Sequence, residues 1–271
     1  MRSPMRWFRR YAELRRLAPR RRTLEADLTA LWGAPCTLIP ASTKGGYDQI
    51  YYAVGGGVRR AVVRVNNPYK TQHDPIGPRD PGVPLGSAAR LAREWDAYSR
   101  LFPRGLSPQP LWRTEDAITC AWLDGQRASD VLASQHARVW TVGAAVLQAT
   151  RRMHDAGVVH LDLNLGNFLL CGPDAVPAVI DFEFGPVDWV TPDQQMAFDY
   201  LRVIDDLLRP RRGGRVLLTD PGRLVSILRD TVPVPVRAAA MGFAFDKLRH
   251  LARQPALCNG LTAVFRNLQQ A

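Results

Sequence analysis

The chain has 271 residues, 46% of them hydrophobic, with a formal net charge of +11; that length is enough for one sizeable globular core. No apolar run is long enough to cross a bilayer, no segment repeats, and Cys36, Cys120, Cys171 and Cys258 are scattered without metal-ligand spacing. A membrane-spanning helix, a repeat array and a cysteine-bound zinc module are thereby not expected, and thiols in apolar settings suit a reducing compartment such as the cytoplasm.

The charge is uneven: residues 1–22 hold nine Arg against Glu13, a net +8 that leaves +3 for the remainder. On a helix, Trp7, Phe8, Tyr11 and Leu14 share one face while Arg9, Arg16 and Arg20 point away. Such a segment lies on an anionic lipid surface, where each cation is worth about 1 kcal/mol. A nucleic-acid arm and an organelle presequence are the competing readings, whereas the segment lacks the apolar core of a secretory signal. Next, Ala61-Val-Val-Arg-Val65 alternates and is rich in β-branched residues, which predicts a strand behind a turn at Gly55-Gly56-Gly57. The stretch Asn67 to Gly86 carries Pro68, Pro75, Pro78, Pro81 and Pro84 and reads as an extended loop, too irregular to be an element.

Leu91, Trp95, Tyr98 and Phe102 fall at helical spacing after Ser87, predicting a helix over 87–102 with Ser87 as its N-cap. Two short apolar strands follow over 109–113 and 117–122, and then Leu123-Asp124-Gly125. Val139, Val142, Val146, Ala149 and Met153 mark a long buried helix over 135–154, with His154 part of that helix and not a ligand.

That helix feeds the most informative segment, His160-Leu-Asp162-Leu-Asn164-Leu-Gly-Asn167, followed across a hairpin turn at Cys171 to Ala175 by Ile180-Asp181-Phe182-Glu183-Phe184-Gly185. In an H-x-D-x-x-x-x-N loop the Asp orients an attacking hydroxyl and accepts its proton, and the Asn reaches a magnesium ion. A second Asp beyond the next hairpin holds magnesium against nucleotide phosphates. Asp162 is thus the candidate base, and Asn167 and Asp181 the candidate magnesium ligands. His160 packs and hydrogen-bonds to steady the loop. After Gly185 only Pro186 to Gln194 precede a helical run with Phe198, Leu201, Ile204 and Leu208. Asp205 and Asp206 on that run read as a solvated face, or as contacts for a basic acceptor.

These motifs resemble the protein-kinase-like superfamily, and most of all the bacterial lipopolysaccharide kinases that phosphorylate the inner-core sugar Kdo, with the aminoglycoside and choline kinases related. The resemblance extends along most of the chain after residue 35 and implies a two-lobed α+β fold. Its parts are a basic helical extension over 1–35, a small β-rich lobe with the hinge over 36–125, and a helical lobe over 126–271. It also implies ATP and Mg2+ as cofactors. The strand position that should carry a phosphate-binding Lys is Arg64, a planar fork in place of a compact ammonium. Lys44, before Gly45 and Gly46 where a phosphate-covering loop should lie, is the alternative cation, or else a solvated loop residue. Glu94 is the expected partner of the strand cation. Asn164 stands where protein kinases usually carry Lys and is grouped with the nucleotide site. Glu183 replaces the Gly of a D-F-G motif, which argues against an activation switch at that glycine.

With little room for a peptide-binding platform and no A-P-E sequence, the acceptor expected is a sugar or lipid-linked glycan, and nucleic acid is not expected as a partner. An anchor at 1–22 would confine such an enzyme to the inner face of the cell membrane. The alternatives are a protein kinase, an aminoglycoside- or choline-type small-molecule kinase, and a nucleotide-binding pseudokinase.

Overall fold

A computed structural model describes residues 4–41, 47–70, 77, 79–265 and 268, with the side chains of 4–10, 245 and 246 outside the description. In chain order, helix α1 (Pro4–Trp32) leads into strands β1 (Thr37–Pro40), β2 (Asp48–Gly55), β3 (Val58–Asn66) and β4 (Gly82–Pro84). Helix α2 (Ser87–Leu101) is followed by β5 (Pro110–Arg113), β6 (Ala117–Ala121), β7 (Gly125–Arg127), α3 (Ala128–Ser134) and α4 (Val139–Asp155). Strands β8 (Phe168–Cys171), β9 (Val176–Val179) and β10 (Phe184–Pro186) then precede α5 (Pro192–Leu207) and, among the described residues, shorter helical segments that include a 3-10 helix over Gly242–Lys247. This is the mixed α+β organisation expected, strands early and helices late.

Contacts divide the chain into two units, Met1–Asp74 with Pro110–Trp122, and Pro75–Gln109 with Leu123–Ala271. The first is an antiparallel sheet in the order β1-β2-β3-β6-β5 with α1 packed on it. Gly56 and Gly57, at φ +61° and +79°, make the two-residue turn that joins β2 to β3, a conformation that a Cβ would penalise. Along β3, Ala61, Val63 and Val65 are buried with Leu24 and Leu28 of α1 in one core. Strand alternation therefore sends Arg64 to the other face of the sheet. The basic helix is not free-standing: burying Leu24 and Leu28 stabilises its attachment by roughly 1.5–3 kcal/mol each.

In the second unit, α4 buries Val139, Val142, Val146, Ala149 and Met153, the face predicted from their spacing. Helix α5 begins with a capping box between Thr191 and Gln194, with Pro192 as its first residue. Strands β7, β8 and β9 form one small sheet, and β4 pairs antiparallel with β10. That last pairing corrects the sequence reading of 67–86 as wholly irregular. Its cause is tertiary: the Leu85 amide donates to Glu183 O and the Val187 amide to Pro81 O, extending a ladder that a Pro-rich segment does not announce. Ser87 is also not a cap, since Gly86 holds that position without a side-chain hydrogen bond.

Candidate active site

The residues flanking Asp162 are held mainly by carboxylates from α5. Asp199, fully buried, accepts the His160 amide and the Leu161 amide, each at 2.8 Å, and lies 3.1 Å from His154 Nε2. Two turns along the same helix face, Asp206 accepts the Leu165 amide at 2.9 Å and is ion-paired with Arg209 and Arg212. Both carboxylates pass from water into the protein and are compensated there by charge-assisted hydrogen bonds. The expectation of a solvated face at Asp205 and Asp206 is thus overturned. Both are 3% exposed, and Asp205 accepts the amides of His250 and Leu251 at 2.7 and 2.9 Å. Leu161 sits at φ +71°, a left-handed conformation that the bond to Asp199 helps to hold.

His160 is fully buried, its ring tilted against Phe182 at 4.7 Å between centroids. The Asp162 amide donates to its Nδ1 at 3.3 Å, so Nε2 carries the proton and donates to Ile180 O at 3.0 Å. The histidine therefore ties the loop to the strand end before Asp181, the structural function expected of it. Asn164, grouped by sequence with the nucleotide site, is engaged within the loop: its Oδ1 accepts the Gly166 amide at 2.9 Å and its Nδ2 donates to Asp162 O at 3.1 Å. The first of these bonds closes an Asx turn, and the second ties the side chain back to the Asp162 carbonyl.

Asn167, buried, donates from Nδ2 to Asp162 O at 3.2 Å, which leaves Oδ1 as a free-facing acceptor for a hard cation. Asp181 has φ +78° and its amide donates to Tyr98 OH at 3.4 Å. Tyr98 in turn donates to Glu94 Oε1 and meets Phe182 edge-on at 6.0 Å, so one hydroxyl joins the α2 glutamate to the second aspartate. Among the described residues no cluster of three or more His, Cys, Asp or Glu could hold a metal by itself. A carboxylate and an amide oxygen fit magnesium that also takes phosphate and water ligands.

Asp162 is half-buried, and Arg202 Nη2 of α5 lies 3.2 Å from its Oδ1. Burial pushes the carboxyl above its ordinary range; the Arg202 guanidinium opposes that shift and the nearby Asp181 adds to it. In the first unit, Arg64 lies 3.8 Å from buried Asp48, and Lys70 donates to Asp48 O. Arg64 belongs to the first unit and Glu94 to the second. The positions Lys44, Gly45 and Gly46 lie outside the described residues.

Four contributors were not read from the sequence: Asp199, Asp206, Arg202 and the Tyr98 hydroxyl. A signal for the first two existed. Carboxylates seven residues apart share one face of a helix, and here that face is otherwise set in the apolar run Ala197 to Leu208.

A family model described as phosphotransferase enzyme family, APH, matches residues 72–224, more than half of the chain. Among solved structures, the PknI kinase domain of Mycobacterium tuberculosis is similar at 17% identity, over 81% of this chain and 96% of that one, with a TM-score of 0.46. The Rio2 kinase-ADP/Mg2+-phosphoaspartate complex from Chaetomium thermophilum is similar at 16% identity, over 90% and 74%, with a TM-score of 0.47. No curated protein matches.

Proposed function

We propose that this chain, which belongs to the APH phosphotransferase enzyme family, moves the γ-phosphate of ATP to a hydroxyl of a sugar or lipid-linked glycan, in the manner of the Kdo kinases. The observation that carries the reading is the joint fixing of Asp162, Asn167 and Asp181: Asn167 is bonded to the Asp162 carbonyl, and His160 ties that loop to the residue before Asp181. In this reading Asp162 orients the acceptor hydroxyl and takes its proton. The acceptor oxygen bonds to the γ-phosphorus as the bond to the β,γ-bridging oxygen breaks, and ADP leaves. Asn167 Oδ1 and the Asp181 carboxylate are the groups that would hold magnesium, which when bound offsets phosphate charge. Arg64, with or without Lys44, is the proposed phosphate contact and Glu94 the residue proposed to orient the cation.

A small-molecule acceptor of the aminoglycoside or choline type is the second reading, supported by the short span Pro186 to Thr191 between Gly185 and α5, which leaves little room for a peptide-binding platform. The basic segment 1–22 supports a peripheral site on an anionic membrane, facing the cytoplasm. No helix among the described residues is long and apolar enough to cross a membrane. The test is transfer of labelled phosphate from Mg-ATP by the intact chain and by Asp162→Ala, offered envelope glycolipid, free sugars, aminoglycosides and protein. Asp162-dependent label in the glycolipid alone is the expected result. Label in free sugars, aminoglycosides or protein instead would replace the glycan acceptor, and absence of Asp162-dependent label in a protein that binds ATP would leave a pseudokinase.

A further inference from the structure

The loop His160 to Asn167 contains no Lys or Arg. A carboxylate in that loop must nevertheless work beside a second carboxylate, Asp181, and next to a polyphosphate, where uncompensated negative charge opposes the approach of a nucleophile. Asn164, grouped by sequence with the nucleotide site, is an uncharged amide that hydrogen-bonds within the loop, to Asp162 O and from the Gly166 amide, and brings no positive charge. Among the described residues, the ion pair made by Asp162 is with Arg202, and it comes from outside the loop.

Arg202 is itself held. Its Nη2 contacts Asp162 Oδ1 at 3.2 Å while Nη1 donates to Lys247 O at 3.4 Å, in the turn of helix Gly242–Lys247. The guanidinium is a planar fork, so a contact at each tip fixes its plane and with it the direction of the carboxylate it meets. Its place on α5 repeats the logic of its neighbours. Asp199, Arg202 and Asp206 are spaced by three and four residues and so line one face of the helix. From that face Asp199 fixes the backbone at His160 and Leu161, Arg202 the side chain of Asp162, and Asp206 the backbone at Leu165. One helix thus places the loop at three successive points, two by accepting amides and one by donating to the carboxylate.

We infer that Arg202 is a positioning residue for phosphoryl transfer, aiming the Asp162 carboxylate and supplying from α5 the positive charge that the loop lacks. The inference rests on the reading of Asp162 as the base. It separates Arg202 from a residue that binds nucleotide: its effect must run through Asp162.

The test is a double-mutant cycle on the full chain, using Mg-ATP hydrolysis with water as acceptor, across the native protein, Arg202→Met, Asp162→Asn and the pair. Arg202→Met is expected to lower kcat by about 10- to 100-fold, the cost of a misaimed catalytic group, with the Kd for Mg-ATP and the unfolding midpoint close to native. Arg202→Lys, which keeps the charge without the fork, should recover part of the loss. In the Asp162→Asn background Arg202→Met should change kcat by less than about threefold, since groups that act as one unit are not additive. A native-like kcat for Arg202→Met, a loss confined to Mg-ATP affinity, or losses that multiply in the double variant would each overturn the inference while leaving the base in place. Should Asp162→Asn hydrolyse like the native protein, the base assignment falls, and the function of Arg202 with it.

Discussion

Asp199 illustrates how much of the site rests on a residue with no chemistry of its own. Its two oxygens accept two backbone amides and face His154, and it is fully buried. Asp199→Asn keeps the shape but removes the charge and turns one acceptor into a donor facing another donor. A buried amide left unpaired costs about 1–3 kcal/mol, and bonds to a charged group lie at the upper end. Chemical denaturation of Asp199→Asn should therefore show a loss of about 2–4 kcal/mol; a variant as stable as the native chain would mean that the loop finds other partners. The residues that do the proposed chemistry were legible because they are close in sequence, from His160 to Asp181. Asp199 was not, because its partners His160 and Leu161 lie 39 and 38 positions away. Tyr98 was legible only as an apolar position at helical spacing. The bond from its hydroxyl to Glu94 follows from burial, which a sequence pattern does not report.

Among the elements, α2, α4 and strand β3 with the glycine turn before it could be read because local rules and tertiary packing agree there. Strand β4 could not, since a three-residue strand in a Pro-rich stretch exists only because β10 offers it a partner. One glycine on each strand makes the pairing testable. A Cβ at Gly82 would stand 2.9 Å from Leu161 Cβ, whereas one at Gly185 would stand 2.5 Å from Leu85 Cδ2. The second clash is tighter but meets the far end of a side chain that can rotate away. The first meets an atom fixed to the backbone of the residue before Asp162, already at positive φ. Gly82→Ala should therefore lower Asp162-dependent turnover by about tenfold or more, as small displacements of a reacting group do. Gly185→Ala should act mainly on stability, by about 1–3 kcal/mol, as overpacking does. Steady-state rates and unfolding midpoints of the two variants decide it; the reverse order of activity loss would show that β4 does not set the loop.

At the scale of the whole molecule the positive charge is most concentrated in residues 1–22, most of them in α1, and the structure divides that helix by what its arginines touch. Arg15, Arg16 and Arg22 are exposed, and if residues 1–22 meet anionic lipid they belong to the contact. Reversing Arg15 and Arg22 to Glu should weaken binding to vesicles containing anionic lipid by about 30-fold or more, taking about 1 kcal/mol for each cation lost. Co-sedimentation of the full chain at low and high salt measures this, and equal binding by the variant would remove the membrane from the reading. Arg20 does something else. It donates to Asp116 from Nε at 2.8 Å and to Thr114 from Nη2 at 3.0 Å, and its second bond to Asp116 completes a bidentate pair between α1 and the β5–β6 turn. Burial alone would raise the Asp116 carboxyl, but the hydrogen bonds from Arg20 and Thr114 outweigh it and hold the group below its ordinary value of 3.8. A carboxyl depressed in the folded state contributes stability that is complete above its ordinary value and is lost as pH falls through the depressed one. Both partners are partly exposed, so solvent screening limits the contribution to about 1 kcal/mol at most. Arg20→Ala should accordingly be less stable than the native chain at pH 7, by up to that amount. The deficit should persist at pH 5 and shrink toward zero as the carboxyl is protonated below about pH 4. Denaturation of both proteins across that range tests the ion pair directly, because a deficit that stays constant with pH would come from lost side-chain packing instead of charge.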